Sequence, residues 1–158
     1  MAERDEEAVR RFVEHLAMTL NDLGFPRMPA RVLGALTVAE DGVLTAAQLG
    51  EWLGVSPAAA SEAVRYLVQI GLVLREPVPG SRSTRYRSVG NSWYMASVAK
   101  GGVYKQVADV MSEGVSAVGA DTAAGARITE MTEFFLFLQE EIAALVEKWQ
   151  ATRTTRTS

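Results

Sequence analysis

Arg65, Arg82, Arg85 and Arg87 carry the most pointed chemistry in this chain. A guanidinium is planar, permanently charged and presents paired N–H donors, so arginines grouped like this suit phosphate oxygens or the acceptor edge of a base. No comparable grouping supports catalysis. The chain has no Cys, hence no thiolate nucleophile, and one His, His15, where metal sites normally take several ligands. Glu6-Glu7 and Glu140-Glu141 are adjacent carboxylates that a solvated helix face explains. The sequence contains no Gly-x-Ser-x-Gly elbow, Walker loop or dinucleotide fingerprint. The expectation is a binding protein rather than an enzyme, without metal or cofactor.

The elements that position these arginines are well marked. Thr45 and Gln48 have the spacing of a capping box, Leu49 and Leu53 share a face, and Gly54 supplies the left-handed residue that ends a short helix. Ser56 as N-cap and Pro57 at the first position start a second helix at once, and Gly71 closes it. Ala60, Val64 and Leu67 form its packing stripe; Ala58, Ser61, Glu62, Arg65 and Gln69 form the opposite one. Leu72 to Glu76 is β-prone, residues 77–81 are turn chemistry, and Thr84 to Val89 alternate with period two. The alternation puts Arg85 and Arg87 on one face, with Arg82 at the tip, where a wing can enter a minor groove. Two capped helices followed by such a hairpin predict a winged helix-turn-helix, a module that reads duplex DNA. Its expected DNA-facing residues are Ser56, Ala58, Ala59, Ser61, Glu62 and Arg65 on the helix, and Arg82, Ser83, Arg85 and Arg87 on the wing.

Helices flank the module. Val9, Phe12, Leu16, Leu20 and Leu23 recur at three and four, and a second helix follows Pro29 with Val32, Leu33 and Leu36 inward. A long helix is expected from about Ser92 to Val118, with Gly101-Gly102 inside it, and residues 119–125 as the turn into the last helix. There Ile128, Met131, Phe135, Leu138, Ile142, Leu145 and Trp149 form an unbroken seam. Pattern alone leaves two ways to bury it: a second chain, or the first and last helices of one chain covering each other. The fold class is mainly α, with a small β-hairpin wing, in one domain. Its parts are an N-terminal helix (1–27), the winged helix (28–90), C-terminal helices (91–150) and a polar tail (151–158).

The segment Gly24-Phe25-Pro26-Arg27-Met28-Pro29-Ala30-Arg31, followed by Leu44-Thr45-Ala46-Ala47-Gln48-Leu49 and Leu53-Gly54-Val55-Ser56, resembles the GbsR-like branch of the MarR family of bacterial regulators. The resemblance covers nearly the whole chain. It implies a homodimer whose interface takes Phe12, Leu16 and Leu20 with Ile128, Met131, Phe135, Leu138, Ile142, Leu145 and Trp149. It also implies a ligand-responsive repressor on a pseudo-palindromic operator. A small organic effector is expected among Trp52, Trp93, Tyr94, Met95, Met111 and Phe134. Many relatives place an Asp in the wing to brace a nearby Arg; Ser81 stands there in this chain.

The formal net charge of −3 is unevenly spread. Residues 45–90 hold five Arg against three Glu, while both flanks are acidic. A locally basic module on an acidic body fits a duplex-binding face of modest non-specific affinity. No apolar run reaches membrane-spanning length and no leader is evident, so a cytoplasmic protein is expected. The sparse basic face leaves one alternative open: a dimeric winged helix that binds a protein or a small molecule without reading DNA.

Overall fold

The structure, a computed structural model, describes residues 4–89 and 102–156. The chain divides into two compact units, Met1–Trp93 and Tyr94–Ser158. The first holds α1 (Glu6–Asp22), α2 (Arg27–Val38), β1 (Val43–Thr45), α3 (Ala46–Leu53), α4 (Pro57–Gln69), β2 (Val73–Pro77) and β3 (Thr84–Ser88). Its core draws on every helix and on the sheet: Val13, Val32, Leu36, Leu49, Val64, Leu67, Val73 and Tyr86 are buried.

Three of the four helices end in the same way. Gly24, Gly54 and Gly71 each take positive φ. The following residue's N–H then reaches back to the carbonyl five positions earlier: Phe25 to Leu20, Val55 to Gly50 and Leu72 to Leu67, all at 2.9 Å. These Schellman closures satisfy carbonyls that the helix leaves without donors. The one after α3 is the tightest, because a Cβ on Gly50 would lie 2.7 Å from the Val55 carbonyl oxygen.

Two features of this unit differ from the sequence expectation. The inward face of α1 is Val13 and Ala17, whereas Phe12 is 51% and Leu23 80% exposed. Small residues decide this: Gly34 lets α2 approach so closely that a Cβ there would sit 2.8 Å from Val13 Cγ1. The second helix also begins at Arg27 rather than after Pro29, since a proline in the first turn removes an N–H that has no helical partner anyway.

The sheet has three antiparallel strands in the order β1-β3-β2. The register aligns Val43 with Arg87 and Thr45 with Arg85 on one side of β3, and Leu74 with Arg87 and Glu76 with Arg85 on the other. Cross-strand partners share a face. The inner face therefore carries Leu44, Val73, Arg75 and Tyr86, and the outer face Val43, Thr45, Leu74, Glu76, Arg85 and Arg87.

The second unit is a helical hairpin of α5 (Val103–Val118) and α6 (Ala123–Arg156). Thr122 accepts from the Gly125 N–H at 2.9 Å and donates to the Gly119 carbonyl at 2.8 Å, which fixes the turn expected at 119–125. Gly102 is the N-cap of α5 and not a residue of its interior; the expected helix start at Ser92 to Gly101 lies outside the described residues. The polar end of α6 is helical through Arg156 and no separate tail over 151–156, with the Thr152 and Thr155 hydroxyls donating to the Lys148 and Ala151 carbonyls. The seam on α6 splits: Ile128, Phe135, Leu138 and Ile142 are half-buried, with Tyr104 of α5 stacked on Phe135, while Met131, Leu145 and Trp149 are exposed. Among the described residues, Ala108 and Gly125 alone are buried in this unit.

Gly50→Ala is expected to lower unfolding free energy by about 1–3 kcal/mol, the cost of forcing a methyl into a filled site. Urea titration followed by circular dichroism checks it.

Candidate nucleic-acid interface

The helix pair is set by local capping. Gln48 N–H donates to Thr45 Oγ1 at 3.2 Å and Thr45 N–H donates to Gln48 Oε1 at 2.8 Å, completing the capping box. Ser56 Oγ accepts from the Ala59 N–H at 3.1 Å, with Pro57 at the first helical position. Helix α4 then buries Ala60, Ala63, Val64 and Leu67 and exposes Ala58, Glu62, Arg65 and Gln69; Ser56 is exposed and Ala59 and Ser61 are half-buried. Arg65 holds no carboxylate among the described residues.

Two arginines outside the helix pair anchor α3. Arg10 on α1 donates to the Trp52 carbonyl at 2.5 Å and lies over the Trp52 ring, 4.6 Å from its centroid. Arg31 on α2 donates to the Leu53 carbonyl at 3.0 Å and grips Glu14 of α1 with two nitrogens at 2.8 and 2.9 Å. Both cations satisfy carbonyls at the C-terminus of α3, the negative end of its dipole. With its side chain only 17% exposed, Arg31 ties α1, α2 and α3 together. The sequence signal for this was a single charged residue, Arg31, inside the apolar stretch from Met28 to Leu36.

On the wing the three arginines separate. Arg82 lies in the tip, exposed and without an ion pair among the described residues. Arg85 and Arg87 instead share Glu76: Arg85 Nε meets Glu76 Oε2 at 3.0 Å, and Arg87 Nε and Nη2 meet Oε1 and Oε2 at 2.6 and 3.2 Å. The hydrogen bonds from Arg87 and then Arg85 outweigh the opposing effect of burial and hold the Glu76 carboxyl below its usual range. Glu76 in turn raises Arg87 above its ordinary value. All three groups sit on the outer face, opposite the face that packs on the helices. Arg75 was not among the expected contacts, yet it is exposed on the inner, helix-bearing face with no carboxylate holding it among the described residues. Its parity with buried Val73 was the available signal. Ser81 Oγ accepts from the Ser83 N–H at 3.0 Å, so this hydroxyl is spent inside the tip.

Of the expected effector residues, Trp52 lines a cleft of about 260 Å³ with Ala35, Leu44, Glu40 and Asp41. Trp93, Tyr94 and Met95 lie outside the described residues. Met111 is half-buried on α5 and Phe134 exposed on α6, in the other unit. A second cleft, of about 590 Å³, lies over the outer sheet face between Asp41, Thr45, Gln48, Arg85 and Arg87.

Two family models match the chain: one described as MarR family over residues 23–82, and one as MmpR5-like MarR family transcriptional regulator over residues 91–152. The chain belongs to the MarR family. Neither description is of the GbsR-like branch. The HTH-type transcriptional regulator MmpR5 of Mycobacterium tuberculosis (strain ATCC 25618 / H37Rv) is 24% identical over 139 residues, which cover 87% of this chain and 84% of the relative. A crystal structure of a transcriptional regulator superposes with a TM-score of 0.82 at 21% identity, covering 91% of this chain and 99% of that one. The likeness shows that the two chains share a fold. This MarR-family protein is a DNA-binding transcriptional regulator. No helix among its described residues is long and apolar enough to cross a membrane.

Arg31→Lys in this regulator is expected to cost about 1–3 kcal/mol in unfolding, since an ammonium cannot reproduce the fork to Glu14 and the Leu53 cap together. For Glu76, a lowered folded pKa means that its contribution is complete above the ordinary carboxylate range and disappears as pH falls through the lowered value. Glu76→Gln should therefore flatten the acid limb of the stability–pH curve, read by thermal melts across acid pH.

Proposed function

We propose that the regulator acts as a homodimer on a roughly two-fold symmetric operator, as a ligand-responsive repressor in the cytoplasm. The observation that carries the dimer is the apolar surface of α6. Met131, Phe134, Leu136, Phe137, Leu145 and Trp149 are all exposed on one helix, Leu145 to 62%. A lone chain rarely leaves so much apolar surface in water, and a two-fold contact buries the same patch on both copies. Exposed Phe12, with half-buried Leu16 and Leu20, would add α1 to the contact, and the half-buried Ile128, Phe135, Leu138 and Ile142 flank the exposed row of α6.

In such a dimer the two α4 helices would enter successive major grooves about 34 Å apart. Ser56, Ala58, Ala59, Ser61 and Glu62 are small or polar where the helix approaches the bases, and Arg65 is the free guanidinium able to take guanine or phosphate. The wing would bring Arg82 and Ser83 to the minor groove, supported by Arg75 on the same side of the sheet as the helices. With one basic residue on the outward face of α4, much of the specificity would rest on the wing and on DNA shape. The effector would be a small organic compound, and Trp52 is the residue of the expected set that lines a cleft within its own unit.

Selection of bound duplexes from a random pool, on protein of determined solution mass, should enrich a palindrome bound by a dimer; no enrichment by a folded dimer would favour the protein-binding alternative. Arg82→Ala should weaken operator and random duplex alike and reduce the salt slope by about one per protomer. An unchanged slope would remove the wing tip from the contact.

A further inference from the structure

We infer that Glu76 is a positioning residue for DNA reading: it braces the wing at its root and withdraws Arg85 and Arg87 from the cations available to phosphate. The inference rests on the reading in which the wing tip meets DNA.

The place of the fork in the sheet carries the argument. Thr45, the last residue of β1, pairs with Arg85, and Arg85 pairs on its other side with Glu76. One step further out, Pro77 faces Thr84 with no third strand beside them. The sheet thus narrows from three strands to two at the Glu76–Arg85 pair. A two-stranded ribbon is marginal by itself, and Pro77 has no N–H to give to it. Beyond it, residues 78–83 are held by bonds from Val78 N–H to the Ser83 carbonyl at 3.0 Å and from Ser81 N–H to the Val78 carbonyl at 3.1 Å, with the Ser81 hydroxyl on Ser83 N–H. None of these ties the tip to the body. Glu76 joins the two strands from which the tip springs, directly across to Arg85 and diagonally to Arg87, with its side chain only 28% exposed.

A bracing acid at position 81 would act within the tip; here the acid is at position 76, on the strand. The same contacts settle the charge distribution. One carboxylate shared by two guanidiniums leaves a small net charge on the outer face, which points away from the helices. Among the described residues, the wing cations that no carboxylate holds are Arg82 and Arg75.

The test uses the full-length dimer with Glu76→Gln and Glu76→Asp, measured on the selected operator and a random duplex by fluorescence anisotropy across a salt series. A hydrogen-exchange map of the free protein accompanies it. The expected result is a several-fold loss of operator affinity for Glu76→Gln, a smaller loss for Glu76→Asp, and an unchanged salt slope, because the released guanidiniums do not reach phosphate. The Val78 and Ser81 amides should lose protection while the β1–β3 ladder keeps its own, which a general loss of stability would not produce. A rise in affinity with a slope steeper by about one or two would overturn the inference and make Arg85 and Arg87 phosphate ligands restrained by Glu76. Unchanged tip exchange or unchanged operator affinity would also overturn it. Failure of the wing reading itself would appear separately, as an Arg82→Ala variant that binds normally.

Discussion

The close approach of the end of α3 to the start of α4 is the constraint on which the DNA-facing unit depends. Val55 must fold back so that its N–H reaches the Gly50 carbonyl while its own carbonyl passes where a Gly50 side chain would be. Glycines at positions 50 and 54 meet the two demands separately, one by lacking volume and the other by accepting positive φ. With the turn closed, Ser56 and Pro57 start α4 immediately, so the direction of its outward face follows from the direction of α3. That direction is then secured from outside, by Arg10 and Arg31 on the carbonyls of Trp52 and Leu53. The first two helices are thereby connected to the helix pair through charged hydrogen bonds at the low-potential end of α3 as well as through apolar packing.

Electrostatics in this protein are a matter of placement. The whole chain is acidic, and the excess of arginine in the module is small. What matters is which guanidiniums remain free. Glu14 takes Arg31 and Glu76 takes Arg85 and Arg87, whereas Arg65, Arg75 and Arg82 hold no carboxylate among the described residues. A count of basic residues along the sequence treats all of these alike.

The hairpin of α5 and α6 shows the opposite economy. A 34-residue helix is about 50 Å long, more than twice the length of α5, so a two-helix unit cannot cover it. Large side chains such as Phe134, Phe137 and Leu145 are left uncovered by the single chain, and the contacts that α5 does supply, such as Tyr104 on Phe135, reach only one side of the helix.

Local chemistry made much of this legible from sequence. The capping box at Thr45 and Gln48, the Ser56-Pro57 start, the glycine closures and the alternation that buries Tyr86 all act within a few residues of the chain, so reading order and spacing suffices. The winged helix-turn-helix and its outward α4 face follow from them. Four things were decided only in three dimensions. Strand β1 is three residues long, too short to show a period, and exists because β3 offers it an edge. The inward face of α1 turned to Val13 because Gly34, on another helix, left room. Arg10 and Arg31 became caps of α3 because packing brought distant helices to its end. Glu76 became the partner of both Arg85 and Arg87 because antiparallel register placed the three side chains on one face. Sequence determines what each short segment can form; which groups meet across segments, and so which charges are spent on one another, depends on the register and packing that the tertiary fold alone sets.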